Sequence, residues 1–345
     1  MSPRRYLAAL GVAAIMGFAL VWAWIAAMPM AYLDPEYPAW RAKLELLRRC
    51  DLGDVLVVGD SRAAVDVMPA LLPVRATNLA VGGGEAIEAY AALSRALACP
   101  VPPRRVVISV DAAHFTQPDL FWERSVRFGF LGVADLGELG QIARQTGDAS
   151  FAAPQLSDGL PAALRARLYA WRFPPLFFNS LMRGGVGLRW WRNRETYAAV
   201  LEARGQYFFG KDAGSSTVAV EGHMRAFRPL PVLDRYFDRM LALLAARGIQ
   251  ADFIAMPMNR TTREAVRPAV RDSFSRYLAG YAERYPGFHV LGPVMPDWPD
   301  RYFGDAFSHL NPPGAARLSA GFGRCLRARL AGNAAIDCVT GDLVD

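Results

Sequence analysis

Short apolar runs recur along the chain, and most end in glycine or a polar turn. They cover residues 54–61 (DVLVVGDS), 76–84 (ATNLAVGGG), 104–111 (RRVVISVD), 249–259 (IQADFIAMPMN) and 288–293 (FHVLGP). Runs of this length, rich in Val and Ile, read as strands buried on both faces. Between them the apolar spacing becomes helical, over 41–49, 85–98 and 231–247. Pro312 and Pro313 open a last helix running to residue 330. Proline suits a first turn, where its missing N–H has no intrahelical partner to lose.

Strands alternating with helices predict a parallel sheet covered on both faces. One connection breaks the rhythm. Residues 112–248 separate the third strand from the fourth, far more than a crossover needs, and are expected to form an inserted cap over the strand ends. Within them, residues 165–197 (RARLYAWRFPPLFFNSLMRGGVGLRWWRNRETY) mix arginine with aromatic side chains. That segment either faces lipid headgroups or a membrane partner, or is the arginine-rich outside of an ordinary cap core.

The N-terminal pattern differs from all of these. Tyr6 to Leu33 is 28 residues without a charge, and about 20 suffice to span a bilayer. Arg4 and Arg5 precede the stretch and favour an N-terminus held in the cytoplasm. Trp22, Trp24 and Tyr32 lie in its second half, as interfacial aromatics do. A cleaved signal peptide has a shorter apolar region, although Ala27 and Ala31 offer a cleavage site. The expected organisation is a cytoplasmic tip and transmembrane anchor over 1–33. Residues 34–345 then form an extracytoplasmic domain, in the periplasm or outside the cell.

Composition narrows the function. The 345 residues are 53% hydrophobic and 21% charged, so the chain folds around a substantial core. The net charge is +7, and every cation except Lys43 and Lys211 is arginine. No basic run or binding motif accompanies that charge, so no nucleic-acid partner is expected. CxxC, HExxH, Walker A and GxGxxG patterns are all missing, and neither a metal nor an organic cofactor is expected. An extracytoplasmic compartment can be oxidising. Cys50 and Cys99 each precede a predicted strand; if those strands are neighbours, the sulfurs share a sheet edge and form a disulfide. Cys325 and Cys338 would staple the last helix to the tail. The alternative is four free thiols.

Parallel sheets gather their chemistry at the C-terminal ends of the strands. Three places there carry it: Gly59-Asp60-Ser61-Arg62, Gly82-Gly83-Gly84, and Asp305-Ala306-Phe307-Ser308-His309-Leu310-Asn311-Pro312. A serine hydroxyl attacks a carbonyl only when a base takes its proton. His309 is the candidate base, and Asp305 is close enough in sequence to hold its imidazole in the useful tautomer. The developing oxyanion needs fixed N–H donors, from Ser61 itself and from one of the three glycines. Arg62, Asp111, His114 and Asn259 also fall at strand ends, as candidate substrate-contacting residues. The plainer readings are a Ser61 that caps a helix, an Arg62 that pairs with an acid, and a structural Asn311, His223 and His289.

GDSRAAVDVMPALLP, NLAVGGGEAIEAY and DAFSHLNPPGA, taken in order, resemble the SGNH/GDSL hydrolases. With the single N-terminal span, the chain also resembles their membrane-anchored relatives in cell-envelope acylation, the DltD-like and AlgJ/AlgX-type proteins. The resemblance covers most of 50–115 and 250–330. It implies a three-layer α/β/α flavodoxin-like fold with a five-stranded parallel sheet, Ser61 as nucleophile and His309 as base. It also implies acyl transfer, such as O-acetylation, on an envelope polysaccharide or glycopolymer, often beside a multi-spanning membrane O-acyltransferase. The rival functions are a carbohydrate esterase or lipase, and a non-catalytic scaffold for such a membrane enzyme.

Two positions depart from the family pattern. Where the family carries Gly-x-Asn-Asp after the third strand, this chain reads Ser109-Val110-Asp111-Ala112. An ionised Asp111 would repel an oxyanion rather than bind it; the alternatives are an Asp111 that is neutral, that binds something else or that points away. The family spacing Asp-x-x-His is Asp-x-x-x-His here, so the carboxylate points elsewhere unless the turn adapts, and Asp300 is the fallback orienter.

Overall fold

Five short strands pair in parallel in the order β2-β1-β3-β4-β6: β1 Val55–Gly59, β2 Ala76–Asn78, β3 Arg105–Ser109, β4 Gln250–Phe253 and β6 Phe288–Val290. The computed structural model describes residues 2–33, 35–152, 173–332 and 338. The fold is α/β, with apolar cores on both faces of the sheet. Along β1 the side chains alternate between them. Leu56 and Val58 join one core with Trp40, Leu93, Phe237 and Phe274, whereas Val55 and Val57 join the other with Ala63, Leu318 and Phe322. Two-sided burial is why these strands read as continuous apolar runs.

The apolar run at 249–259 is not one strand. β4 stops at Phe253, and Met258–Asn259 (β5) pairs in parallel with Asp297–Trp298 (β7) in a separate two-stranded ladder. Pro257 lies in the gap, where it has no N–H to give a ladder. A helix over Pro268–Arg284, absent from the expected elements, links β5 to β6.

The chain between β3 and β4 contains helices Val133–Thr146, Phe173–Met182, Val186–Glu202, Val220–His223 and Pro231–Ala246. The last packs against helix Ala86–Ala96 as a crossover within the sheet's own helical layer, and Val186–Glu202 packs along helix Tyr37–Arg49. Residues 153–172, with the start of the aromatic and basic segment, lie outside the described residues.

Pro3–Ala27 is a 25-residue helix, long and apolar enough to cross a membrane by length and composition. Most of it is exposed; Ile25, near its end, is buried. Cys50 is joined to Cys99 and Cys325 to Cys338, with Cα separations of 5.5 and 5.3 Å. β1 and β3 are neighbours, as the first bridge requires.

Candidate active site

The turn after β1 is built around Gly59. Its φ is +147°, and a Cβ there would lie 1.7 Å from Ser109 O, so only glycine passes this close to β3. Asp60 then caps helix Ser61–Asp66, its Oδ1 accepting Arg62 N–H at 3.0 Å and Ala63 N–H at 3.3 Å. Capping therefore falls to Asp60 and not to Ser61. The serine faces a cavity of about 510 Å³ in which His309 and Asp305 also lie.

His309 sits on a tight loop closed by a Phe303–Leu310 bridge, with Gly304 N–H donating to His309 O at 2.8 Å. Asp305 Oδ2 meets His309 Nδ1 at 2.6 Å, and its Oδ1 accepts Phe307 N–H at 2.8 Å and His309 N–H at 3.3 Å. The longer Asp-x-x-x-His spacing is taken up by the turn: Ser308 adopts a left-handed φ of +60°. Asp305 thus orients the ring. Asp300 does not, because its carboxylate takes Arg260 N–H and the Thr261 hydroxyl.

Burial pushes the His309 pKa below the ordinary histidine value, with Asp305 opposing. Burial also acts to raise Asp305, but its bond to His309 outweighs that and keeps the carboxyl below its usual range. The imidazole stacks on Phe209, centroids 4.9 Å apart at 30°. Its buried Nε2 has no hydrogen-bond partner among the described residues. A ring held through Nδ1, with Nε2 unengaged, has the arrangement that a general base requires. Nucleophile–base bonds commonly tighten only when substrate binds.

Gly82 and Gly83 line the same cavity; Gly84 does not, and its N–H donates to Val81 O at 3.0 Å. A Cβ on Gly82 would meet Glu36 Oε2 at 2.4 Å, and Gly83 turns at a φ of +66°. Buried Lys43 donates to Ala80 O just before these glycines, and burial lowers its pKa to about 7.

Asp111 also reaches the cavity, but not as an unpaired anion. His114 Nδ1 lies 2.9 Å from its Oδ2, and Arg62 Nε lies 4.0 Å away. Burial acts to raise Asp111, yet these two cations outweigh it and hold the carboxyl well below its usual range. Burial alone would lower His114; Asp111 and Asp119 instead keep it well above the ordinary value. Asp60 is pushed up to about 6 by burial and by Asp111. Arg62 also pairs with buried Glu221, Nη2 to Oε1 at 2.6 Å. The acid expected to repel an oxyanion is therefore held between His114 and Arg62. Asn259 lies elsewhere: it caps helix Arg260–Ala265 through Thr262 N–H at 2.7 Å and donates to Ser215 O and Thr217 O. His289 bonds Gln250 at 3.1 Å, and Asn311 caps the last helix through Gly314 N–H at 3.0 Å.

Sequence reasoning missed several residues on the cavity wall. Glu36 pairs with Arg124 at 2.8 Å, and Asp119, Phe209 and Phe307 also line the cavity. Glu36, Asp119 and Phe209 lie in no recognisable motif, and Phe307 lies between Asp305 and His309 in a block read for its other residues. A separate cavity of about 360 Å³ beside helix Val133–Thr146 holds none of the candidate residues. Compared with known protein families, curated proteins and solved structures, the chain finds no match.

Proposed function

We propose that this chain is a membrane-anchored, extracytoplasmic acyl-transfer protein of the SGNH type, acting on hydroxyl groups of an envelope polysaccharide or glycopolymer. One observation carries the reading: Ser61 shares a cavity with a buried His309 that is oriented by Asp305 and open at Nε2. The sheet order, 2-1-3-4-5 when only its own strands are counted, fits a flavodoxin-like SGNH core.

In this mechanism Ser61 Oγ attacks the carbonyl of an acyl donor while His309 Nε2 takes its proton. N–H groups of Ser61 and of Gly82 or Gly83 hold the oxyanion. Collapse expels the donor's leaving group, which takes the proton from His309, and the acyl group stays on Ser61 as an ester. An acceptor hydroxyl then gives its proton to His309 and attacks that ester, and Ser61 regains a proton as it leaves. Water in place of the acceptor makes the same site an esterase.

Glu36, on the segment that leaves the apolar helix, lines the cavity. That position suits an acyl group delivered by a multi-spanning O-acyltransferase. The test incubates the full-length chain with p-nitrophenyl acetate and follows acetyl on the Ser61 peptide by mass spectrometry. Acetyl on Ser61 that leaves faster when a soluble glycan is added supports transfer. A Ser61 never acetylated contradicts the reading.

A further inference from the structure

Two helices of the long connection clamp the chain where it leaves the apolar helix. Trp24 and Tyr32 each set an aromatic edge against Phe177, with centroids 6.3 and 5.5 Å apart. Buried Asn193 donates to Met30 O at 2.9 Å and Leu33 O at 3.4 Å, and Arg189 donates to Leu33 O at 3.2 Å. Helices Phe173–Met182 and Val186–Glu202 are thereby fixed to the root of the span.

Both turn apolar side chains outward. Phe178, Leu181 and Met182 fall three and four residues apart, on one face of the first helix, and Leu188 and Trp191 share a face of the second. Met182 is 86% and Trp191 70% exposed. Exposed Arg183, Arg192 and Arg194 lie among them. Single exposed apolar residues are ordinary, but a group of this size at a membrane span's root is a contact surface.

We infer that this helical hairpin rests on the bilayer that the apolar helix crosses, its apolar side chains among the acyl chains and its arginines against anionic headgroups. The inference rests on reading Pro3–Ala27 as a retained anchor. Continuity with that span selects lipid as the occupant, and the arginines match an anionic surface. The hairpin then fixes the domain's tilt, so that the Glu36 side of the cavity stays near the membrane.

The test uses the full-length chain in phosphatidylcholine and phosphatidylglycerol vesicles, with a spin label on one introduced cysteine at a time. Met182→Cys and Leu188→Cys probe the hairpin, Met16→Cys the span, and Val101→Cys the 77%-exposed loop before β3. Labels at 182 and 188 are expected to collide more with oxygen than with a water-soluble nickel chelate, at about 5–10 Å depth, and the label at 101 the reverse. A deep label at 16 with aqueous labels at 182 and 188 overturns the inference, keeps the anchor and leaves the face to a protein partner. An aqueous label at 16 overturns the anchor and the inference together. Trp191→Phe supplies a second reading, since it should reduce quenching of tryptophan fluorescence by brominated lipid.

Discussion

Asp66 Oδ1 accepts the Leu310 N–H at 3.0 Å, tying the helix that begins at Ser61 to the loop that carries His309. Ser319 Oγ donates to Asp66 O at 2.9 Å and fastens the same helix end to the last helix. Burial holds the Asp66 carboxyl well above its usual range. Asparagine keeps an acceptor at this position and alanine does not. Asp66→Ala should lower stability by about 1–3 kcal/mol, the usual penalty for a buried N–H left unpaired, and slow acylation of Ser61. Asp66→Asn should retain most of both, as judged by urea unfolding and acylation rate.

In the proposed mechanism His309 sets the pH profile. Because His309 is pushed below the ordinary value of about 6.5, it stays neutral into mildly acidic solution. Acylation should therefore hold level through that value and fall only at lower pH. Stability follows the same sign. Below about 6.5 the unfolded chain binds a proton that the folded ring refuses, so this site loses stabilising effect as pH falls. Asp305→Ala removes the group that opposes burial, so it should move the acid limb lower still. It should also slow acylation by roughly 10³–10⁴-fold. A limb lying above the ordinary value would contradict the burial argument.

Arg62 and Glu221 form a pair with almost no exposure, 4% and 0% at their side chains. Removing one partner strands a buried charge. Glu221→Leu alone should cost about 3–5 kcal/mol, and Arg62→Met with Glu221→Leu should recover part of it. Denaturant midpoints of the detergent-solubilised chain measure both. A double variant less stable than the single one would show that Arg62 matters chiefly to Asp111.

The two disulfides close loops of different length, with sequence separations of 49 and 13. Chain entropy then gives about 4 kcal/mol for Cys50–Cys99 and about 3 kcal/mol for Cys325–Cys338. Replacing each pair with alanine should therefore hurt the first bridge more, in thermal unfolding without reductant.

Much of this fold was legible in the sequence where local pattern decides. β1 carries branched apolar residues over 55–58 and β3 over 106–108, and both faces of the sheet are covered. Ser61 stood out because a strand-end turn precedes it, and His309 because Asp305 and a proline-opened helix flank it. The helix Pro268–Arg284 escaped notice, although Val270, Phe274, Leu278 and Tyr281 recur at helical spacing and are buried. Its apolar stripe is one residue wide, so the stretch reads as polar. The Asp305–His309 contact was legible because four residues separate the two, but the long-range partners that hold the site were not. Arg62 finds Glu221, Glu36 finds Arg124 and Asp66 finds Leu310 only after the chain has folded back on itself. Asn259 illustrates the opposite error. Its place after an apolar run resembled a strand end facing substrate, but the run breaks at Pro257 and the side chain caps a helix.

The central claim is that Ser61 is an activated nucleophile. The most direct measurement treats the full-length chain with a fluorophosphonate and locates the adduct by intact mass and peptide mapping, beside Ser61→Ala and His309→Ala. The account predicts one adduct, on Ser61, lost in the first variant and slowed at least a hundredfold in the second. An unlabelled native chain, or labelling that ignores His309, would contradict it.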